Sequence, residues 1–262
     1  MVLTFISFGG GVNSVAMLVL AAQGVIPAKL CVFANTGDDS ENPATLEYYH
    51  NIVEPYAHKH GIEMVEVGRA VRGEPRTLFQ AITSDIRSIP IPIIMQTGKA
   101  GRRGCTGEYK IEVIDTYLKQ IGVSNLYPAT ACVGIAVDEI RRLNNRRPSP
   151  YQIPSYPLID LNIDRSGCVD IIRGAGLPIP EKSSCWFCQM KSKLDWQKMR
   201  ANRPELFEQA IALEDRLNEK RAVMLRDPIY LSNWKMPLDL IPEIPETEHA
   251  DDSTYDAGYC MT

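Results

Sequence analysis

Two short stretches carry residue types that do chemistry. The first, Ser7-Phe8-Gly9-Gly10-Gly11-Val12-Asn13-Ser14, sets three consecutive glycines between an apolar run and an apolar helix. Each glycine loses more conformational freedom on folding than a substituted residue, so a simple turn accounts for one of them and not three. Bare glycines let backbone N–H groups converge on an anion, and the positive end of the next helix is aimed at the same point. Phosphate or sulfate is the guest this favours; a tight structural turn with Asn13 as helix cap is the alternative. The second stretch, Cys185-Trp186-Phe187-Cys188, has the two-residue gap that lets both sulfurs meet one metal. Such a pair is half a site, and Cys105 and Cys168, each near a helix start, are candidates for the rest. Arg102, Arg103 and Lys182 offer the positive potential that thiolates need at neutral pH. Four thiolates suit zinc or an iron–sulfur cluster, and spacing does not separate them. His50, His58, His60 and His249 stand beside no cysteine pair, which disfavours a mixed zinc site. Cys31 and Cys132 read as buried core, and Cys260 as an exposed tail thiol or a further ligand.

The elements that must position these groups follow from periodicity. Residues 3–7 read as a strand, 14–23 as a helix stopping at Gly24, and 29–34 as a buried strand leading into Asn35-Thr36-Gly37. A helix starting near Pro43 and a strand over 63–67 come next. Strands and helices alternating at this rhythm indicate an α/β fold: an open, mostly parallel sheet with helices on both faces. Residues 68–104 form a long connection with one short helix over 77–82, and connections of that length are usually lids, binding loops or disordered stretches. A helix over 109–120, strands over 129–135 and 156–161, and a helix over 166–174 resume the alternation. An apolar stripe from Trp196 to Leu217, broken at Pro204, reads as core packing, and the proline-rich, acidic tail after Arg226 reads as a surface wrap or a partly mobile segment. The expected organisation is a nucleotide-binding domain over 1–165 and a cysteine-containing helical region over 166–262 packed on it.

At 262 residues, 45% of them hydrophobic, the chain buries a full core. Its net charge of −4 argues against polyanion binding by the whole molecule. The pairs Arg102-Arg103, Arg141-Arg142 and Arg146-Arg147 are either phosphate contacts or solvated loop charge. No apolar run approaches the roughly 20 residues of a membrane span and no export signal is visible, so a cytoplasmic location with reduced cysteines is expected. The dinucleotide pattern G-x-G-x-x-G does not fit the glycine loop, and the G-K-[ST] ending of the Walker loop is absent.

The glycine stretch resembles the pyrophosphate loop of the adenine nucleotide alpha hydrolase superfamily, and the chain around it resembles the phosphoadenosine phosphosulfate reductase branch. Four further stretches fall in that branch's order: Ala34-Asn35-Thr36-Gly37 followed by Pro43-Ala44-Thr45; Cys105-Thr106-Gly107-Glu108-Tyr109-Lys110-Ile111; Val133-Gly134-Ile135-Ala136-Val137-Asp138-Glu139-Ile140-Arg141; and Lys182-Ser183-Ser184-Cys185-Trp186-Phe187-Cys188. The resemblance implies ATP or a related adenine nucleotide held by Ser7, Gly9, Gly10, Gly11, Asn13 and Ser14. Asn35, Thr36 and Gly37 would lie at the end of the second strand, and Gly134 and Ile135 at the end of the fourth. Asp138, Arg141 and Lys110 are the candidates for catalysis, with Asp138 and Glu139 either holding Mg²⁺ or serving as helix-start acids. The family's loop commonly carries Lys-Asp where this chain has Val12-Asn13, so the phosphate-neutralising charge must come from elsewhere, with Arg102, Arg103, Lys110 and Arg141 as candidates. Thiolases similar to this family bear a four-iron four-sulfur cluster, which favours that cofactor over zinc for Cys105, Cys168, Cys185 and Cys188.

The expected function is ATP activation of a nucleic-acid or small-molecule acceptor for sulfur transfer, fed by a sulfur-donor protein and involving no membrane. Reduction of a sulfonucleotide with release of sulfite is the alternative in the same fold, although no Glu-Cys-Gly element precedes the C-terminus. A noncatalytic zinc-containing nucleic-acid binder and a nucleotide sensor are the remaining alternatives.

Overall fold

The computed structural model describes residues 2–84, 89–97, 101, 103–145 and 149–242. Five strands, β1 (Thr4–Phe8), β2 (Leu30–Asn35), β3 (Glu63–Gly68), β4 (Ala129–Val133) and β5 (Gln152–Ser155), form one sheet in the order β3-β2-β1-β4-β5. Every neighbouring pair in it is parallel. The chain builds outward from β1 through β2 to β3 and then crosses to the other side for β4. Order therefore reverses between β1 and β4, and the crevice beyond their carboxyl ends is where open parallel sheets bind ligands. This is the open α/β fold that the alternation predicts.

The helices are α1 (Val12–Ala22), α2 (Pro43–Tyr48), α3 (Glu54–Lys59), α4 (Leu78–Thr83), α5 (Gly104–Thr106), α6 (Glu112–Gln120), α7 (Pro157–Asp160), α8 (Arg165–Gly174), α9 (Lys193–Asn202) and α10 (Pro204–Val223). Single π turns, Tyr49–Val53 and Gly107–Ile111, join α2 to α3 and α5 to α6. Alternate residues of the central strands enter opposite layers, as the twofold side-chain period requires. Ile6, Phe8, Cys31, Phe33 and Cys132 pack under α1 and α8, while Phe5, Leu30, Val32, Ala34 and Ala131 pack under Ile114 and Leu118 of α6. Cys31 and Cys132 are core, as expected, and burial pushes both thiols up.

A second core joins Leu78, Ile82, Ile91, Ile93 and Tyr109 to Trp186, Phe187, Trp196, Phe207, Leu213 and Leu217. The apolar stripe of α9 and α10 is thus packing surface. Two expectations are corrected. Residues 156–161 are not a strand: β5 ends at Ser155, and Pro157 opens α7, since a fixed φ and a missing N–H suit a first helical turn and not a sheet. The chain after Arg226 is no mere surface wrap as far as residue 242. Ile229–Tyr230 pairs antiparallel with Ile94–Met95, and Leu231, Leu238 and Ile241 are buried in the second core.

That returning segment is held by Glu214 of α10, whose buried carboxylate accepts N–H bonds from Leu231 (2.6 Å) and Leu238 (2.8 Å). Burial pushes its carboxyl from 4.5 up to about 7, against the pull of those two bonds. Between these values the native state keeps a proton that the unfolded chain releases, so this group's contribution to stability is full below about pH 4.5, falls as pH rises towards about 7, and is flat beyond. The expected loss is about 3 kcal/mol. Urea unfolding at pH 5 and pH 8 checks it: the wild type loses stability across this window, and Glu214→Gln flattens that part of the profile.

Candidate active site

The loop 9–11 carries the chain from β1 into α1. Gly10 is left-handed at φ +74°, and a Cβ there would stand 2.7 Å from Thr45 Cγ2. A Cβ on Gly11 would stand 2.9 Å from Ser183 Oγ. Protein therefore presses on two of the glycines. At its other end the loop delivers a helix start without a partner: α1 begins with Gly11 at the N-cap, no capping side chain and no acid in its first turn. By contrast Thr77, Asp164 and Ser192 cap α4, α8 and α9. First-turn amides left without a cap favour an anion at that point.

Asn13 is not a helix cap. It lies inside α1, and its Nδ2 donates to the Gly134 carbonyl (3.0 Å) and to Glu139 Oε2 (2.7 Å), tying the loop after β1 to the loop after β4 across the crevice. Its Oδ1 is buried without a partner. Ser14 Oγ donates to the Gly11 carbonyl (2.8 Å). Ser7 is buried in β1 between Val32 and Val133, and Ile135 is buried beside Gly134.

The loop after β2 forms the other wall. Asn35 Oδ1 accepts the Gly37 N–H (2.8 Å), and its Nδ2 donates to Asp38 (2.8 Å) and Glu66 (2.7 Å). Gly37 adopts φ +123° with Thr77 and Asp39 too close for any Cβ. Thr36 Oγ1 donates to buried Glu41 (2.8 Å) and stands 3.4 Å from Cys185 Sγ. Residues 184–186 lie antiparallel on residues 40–42. Asn42 N–H donates to the Ser184 carbonyl (3.2 Å), Trp186 N–H to the Ser40 carbonyl (3.1 Å), and the Trp186 indole to the Asp39 carbonyl (2.8 Å). This pairing fixes the first cysteine of the pair at the carboxyl edge of the sheet, two residues from the Ser183 that touches the glycine loop.

Cys188 closes a turn on Cys185 through its N–H (3.1 Å). Burial, then the Glu41 carboxylate and the Cys188 sulfur, pushes the Cys185 thiol up, and Lys110, itself buried on the π turn before α6, pulls it down. Lys191 is buried on the other side, donating from Nζ to Ser184 Oγ (3.0 Å). Its burial disfavours the ammonium, while Cys188 and Asp195 favour it.

The four expected metal ligands do not assemble. Cys168 faces α1 from α8, wholly buried in the first core, where burial pushes its thiol up to about 12, the reverse of what a ligand thiolate needs. Cys105 packs with Cys185 against the second core. Among the described residues no three His, Cys, Asp or Glu side chains stand together as a metal site requires. The donor set at the edge of the sheet is a thiol pair, which falls short of the four thiolates that a zinc ion or a four-iron cluster takes. Asp138 and Arg141 are exposed, and Asp138 Oδ1 accepts the Arg165 N–H (3.2 Å) at the start of α8. One residue further on, Glu139 and Arg142 pair at 2.7 Å, and Glu139 also binds Asn13. Glu41, Lys191 and Ser183 complete the site without having been singled out by spacing. Arg102, Arg146, Arg147 and Cys260 lie outside the described residues.

Among solved structures, the U34-tRNA thiolase NcsA from Methanococcus maripaludis with its four-iron four-sulfur cluster aligns over 97% of this chain and 80% of that chain, at 10% identity and a TM-score of 0.41. No family model matches the chain, and no curated protein matches it. What the site does must therefore be argued from this chain's own residues. No helix among the described residues is long and apolar enough to cross a membrane.

Gly10 and Gly24 separate backbone strain from contact. Both are left-handed, at φ +74° and +78°, but a Cβ on Gly24 meets nothing within 4 Å. Gly24→Ala is expected to cost about 1–2 kcal/mol for backbone strain alone. Gly10→Ala adds roughly 1–3 kcal/mol of overpacking against Thr45 and Ser183. Equal costs in urea unfolding would show that the loop is not pressed.

Proposed function

We propose that this chain is an adenine-nucleotide-dependent enzyme that activates an acceptor with ATP and transfers sulfur to it through the Cys185–Cys188 pair. The observation that carries this is the antiparallel seating of residues 184–186 on residues 40–42, which brings a C-x-x-C pair beside a glycine loop whose helix has no cap. A nucleotide cradle and a thiol pair at one sheet edge suit a reaction that joins phosphoryl activation to sulfur chemistry.

In the first half-reaction an acceptor oxygen attacks the α-phosphorus of ATP, the bond to the bridging oxygen breaks, and pyrophosphate leaves toward the first-turn amides of α1. Stabilising the charge on the transferred group is the main contribution the protein makes. In the second, a sulfur-donor protein has left a persulfide on Cys185. Its terminal sulfur attacks the acceptor carbon and the carbon–oxygen bond breaks, releasing AMP and leaving a disulfide between acceptor and Cys185. The Cys188 thiolate attacks the Cys185 sulfur, which frees the acceptor thiolate and closes a Cys185–Cys188 disulfide that an external dithiol reduces. Lys110 favours the Cys185 thiolate against its burial.

Incubation with ATP and acceptor, and separately with phosphoadenosine phosphosulfate, tests this. Pyrophosphate release is expected with ATP; sulfite from the sulfonucleotide would make the chain a reductase instead. Salt-sensitive nucleic-acid binding without turnover would leave only a binding role. Cys185→Ser and Cys188→Ser are each expected to keep pyrophosphate release while cutting sulfur incorporation by more than about a thousandfold. Stoichiometric iron and sulfide in anaerobically purified protein would replace the persulfide route.

A further inference from the structure

We infer that Lys191 supplies the positive charge facing the terminal phosphates of the bound nucleotide, in place of a lysine in the glycine loop. This rests on the nucleotide reading above and names a group that spacing does not reveal.

Lys191 is 7% exposed and its Nζ donates to one neutral partner, Ser184 Oγ, at 3.0 Å. An ammonium carries three donors. Among the described residues it makes no ion pair within 4 Å. The acid nearest in chain, Asp195, is committed elsewhere: its Oδ2 accepts Lys182 Nζ at 2.9 Å and the Ser192 N–H at 3.0 Å. Asp195 and the Cys188 sulfur favour the ammonium electrostatically, but its one hydrogen bond goes to a neutral hydroxyl and leaves donors that an anion can accept.

The ammonium is bonded to the segment that also meets the glycine loop. Its partner Ser184 follows Ser183, whose hydroxyl lies against Gly11, and the Ser184 carbonyl holds the Asn42 N–H at the start of α2, whose Thr45 lies against Gly10. Lysine and glycine loop are thus joined by a two-residue segment pinned at both ends. The loop itself has Val12 and Asn13 where a cation would sit, and Arg142 across the crevice is paired with Glu139. Backbone amides and one helix dipole carry only partial charge, so a tri- or diphosphate needs a full positive charge close by.

Calorimetry with magnesium-ATP, AMP and adenosine on wild type, Lys191→Met and Lys191→Gln decides it. Both variants are expected to weaken ATP by about ten- to a hundredfold, the worth of a charge-assisted bond, to leave adenosine within about twofold, and to make ATP affinity less dependent on salt. Without nucleotide, Lys191→Met is expected to melt at or above the wild-type temperature, because it replaces a buried charge with an apolar chain of similar length. ATP affinity equal to wild type in both variants overturns the inference and leaves the nucleotide reading intact, and slower thiol alkylation in those variants would assign the ammonium to the cysteines instead. A wild-type protein that binds no adenine nucleotide overturns both.

Discussion

The site depends on three main-chain positions, 184–186, lying antiparallel on the loop that leaves β2. With the Leu78 N–H on the Thr36 carbonyl (2.7 Å), that contact joins the α/β sheet to the second core through main chain. With it, Trp186 turns its indole onto the Asp39 carbonyl and stacks near Phe79 and Phe187, at ring distances of 5.6 and 4.8 Å. Phe79 is positioned in turn by its N–H on Ser40 Oγ (2.9 Å). The apolar side of the segment thus anchors it in the second core, while its polar side delivers Ser183, Ser184 and Cys185 to the carboxyl edge of the sheet. Aromatic pairs of this kind add about 0.5–1.5 kcal/mol each beyond burial, and here that energy holds reactive groups in place.

Burial sets the electrostatics of the delivered groups. Cys185 sits with the Glu41 carboxylate and a second sulfur on one side and Lys110 on the other, so its ionisation depends on which charges a ligand adds or covers. Lys191 shows the complementary behaviour, its charged form opposed by burial and supported by Cys188 and Asp195. In a low-dielectric setting such groups interact far more strongly than at the surface. An anion arriving at the loop would strengthen the lysine charges and oppose thiolate formation, so on the function proposed above phosphate departure precedes sulfur attack.

Much of this was legible in the chain. Short continuous apolar runs and helical patterning place four of the five strands of the sheet and the long helices, because each central strand is covered on both faces and each helix on one. The helix at Pro157–Asp160 was not legible, since a short stretch with Leu158, Ile159 and Leu161 fits either state and Pro157 decides between them. The choice between Asp138 with Arg141 and Glu139 with Arg142 was equally hidden. Both pairs have the three-residue spacing that aligns side chains on a 3₁₀ helix, and only the Asn13 contact selects the second. Cys168 and Lys191 fail for a common reason: a cysteine near a helix start and a lysine after a C-x-x-C pair read alike whether buried or exposed, and burial is set by packing between distant segments.

Three glycines in a row pose a problem that a phosphate alone does not solve. Gly10 is required by its left-handed φ and by Thr45, and Gly11 lies against the Ser183 hydroxyl, side chains from two separate elements. The protein's own packing thus holds the loop in shape before any ligand arrives. A loop held in that way does not have to order itself on binding, so the amides at the start of α1 keep more of their interaction energy for the anion. Pressing on the loop from outside and leaving its helix uncapped are therefore parts of one arrangement: the first makes the cradle rigid, and the second leaves its donors for the guest.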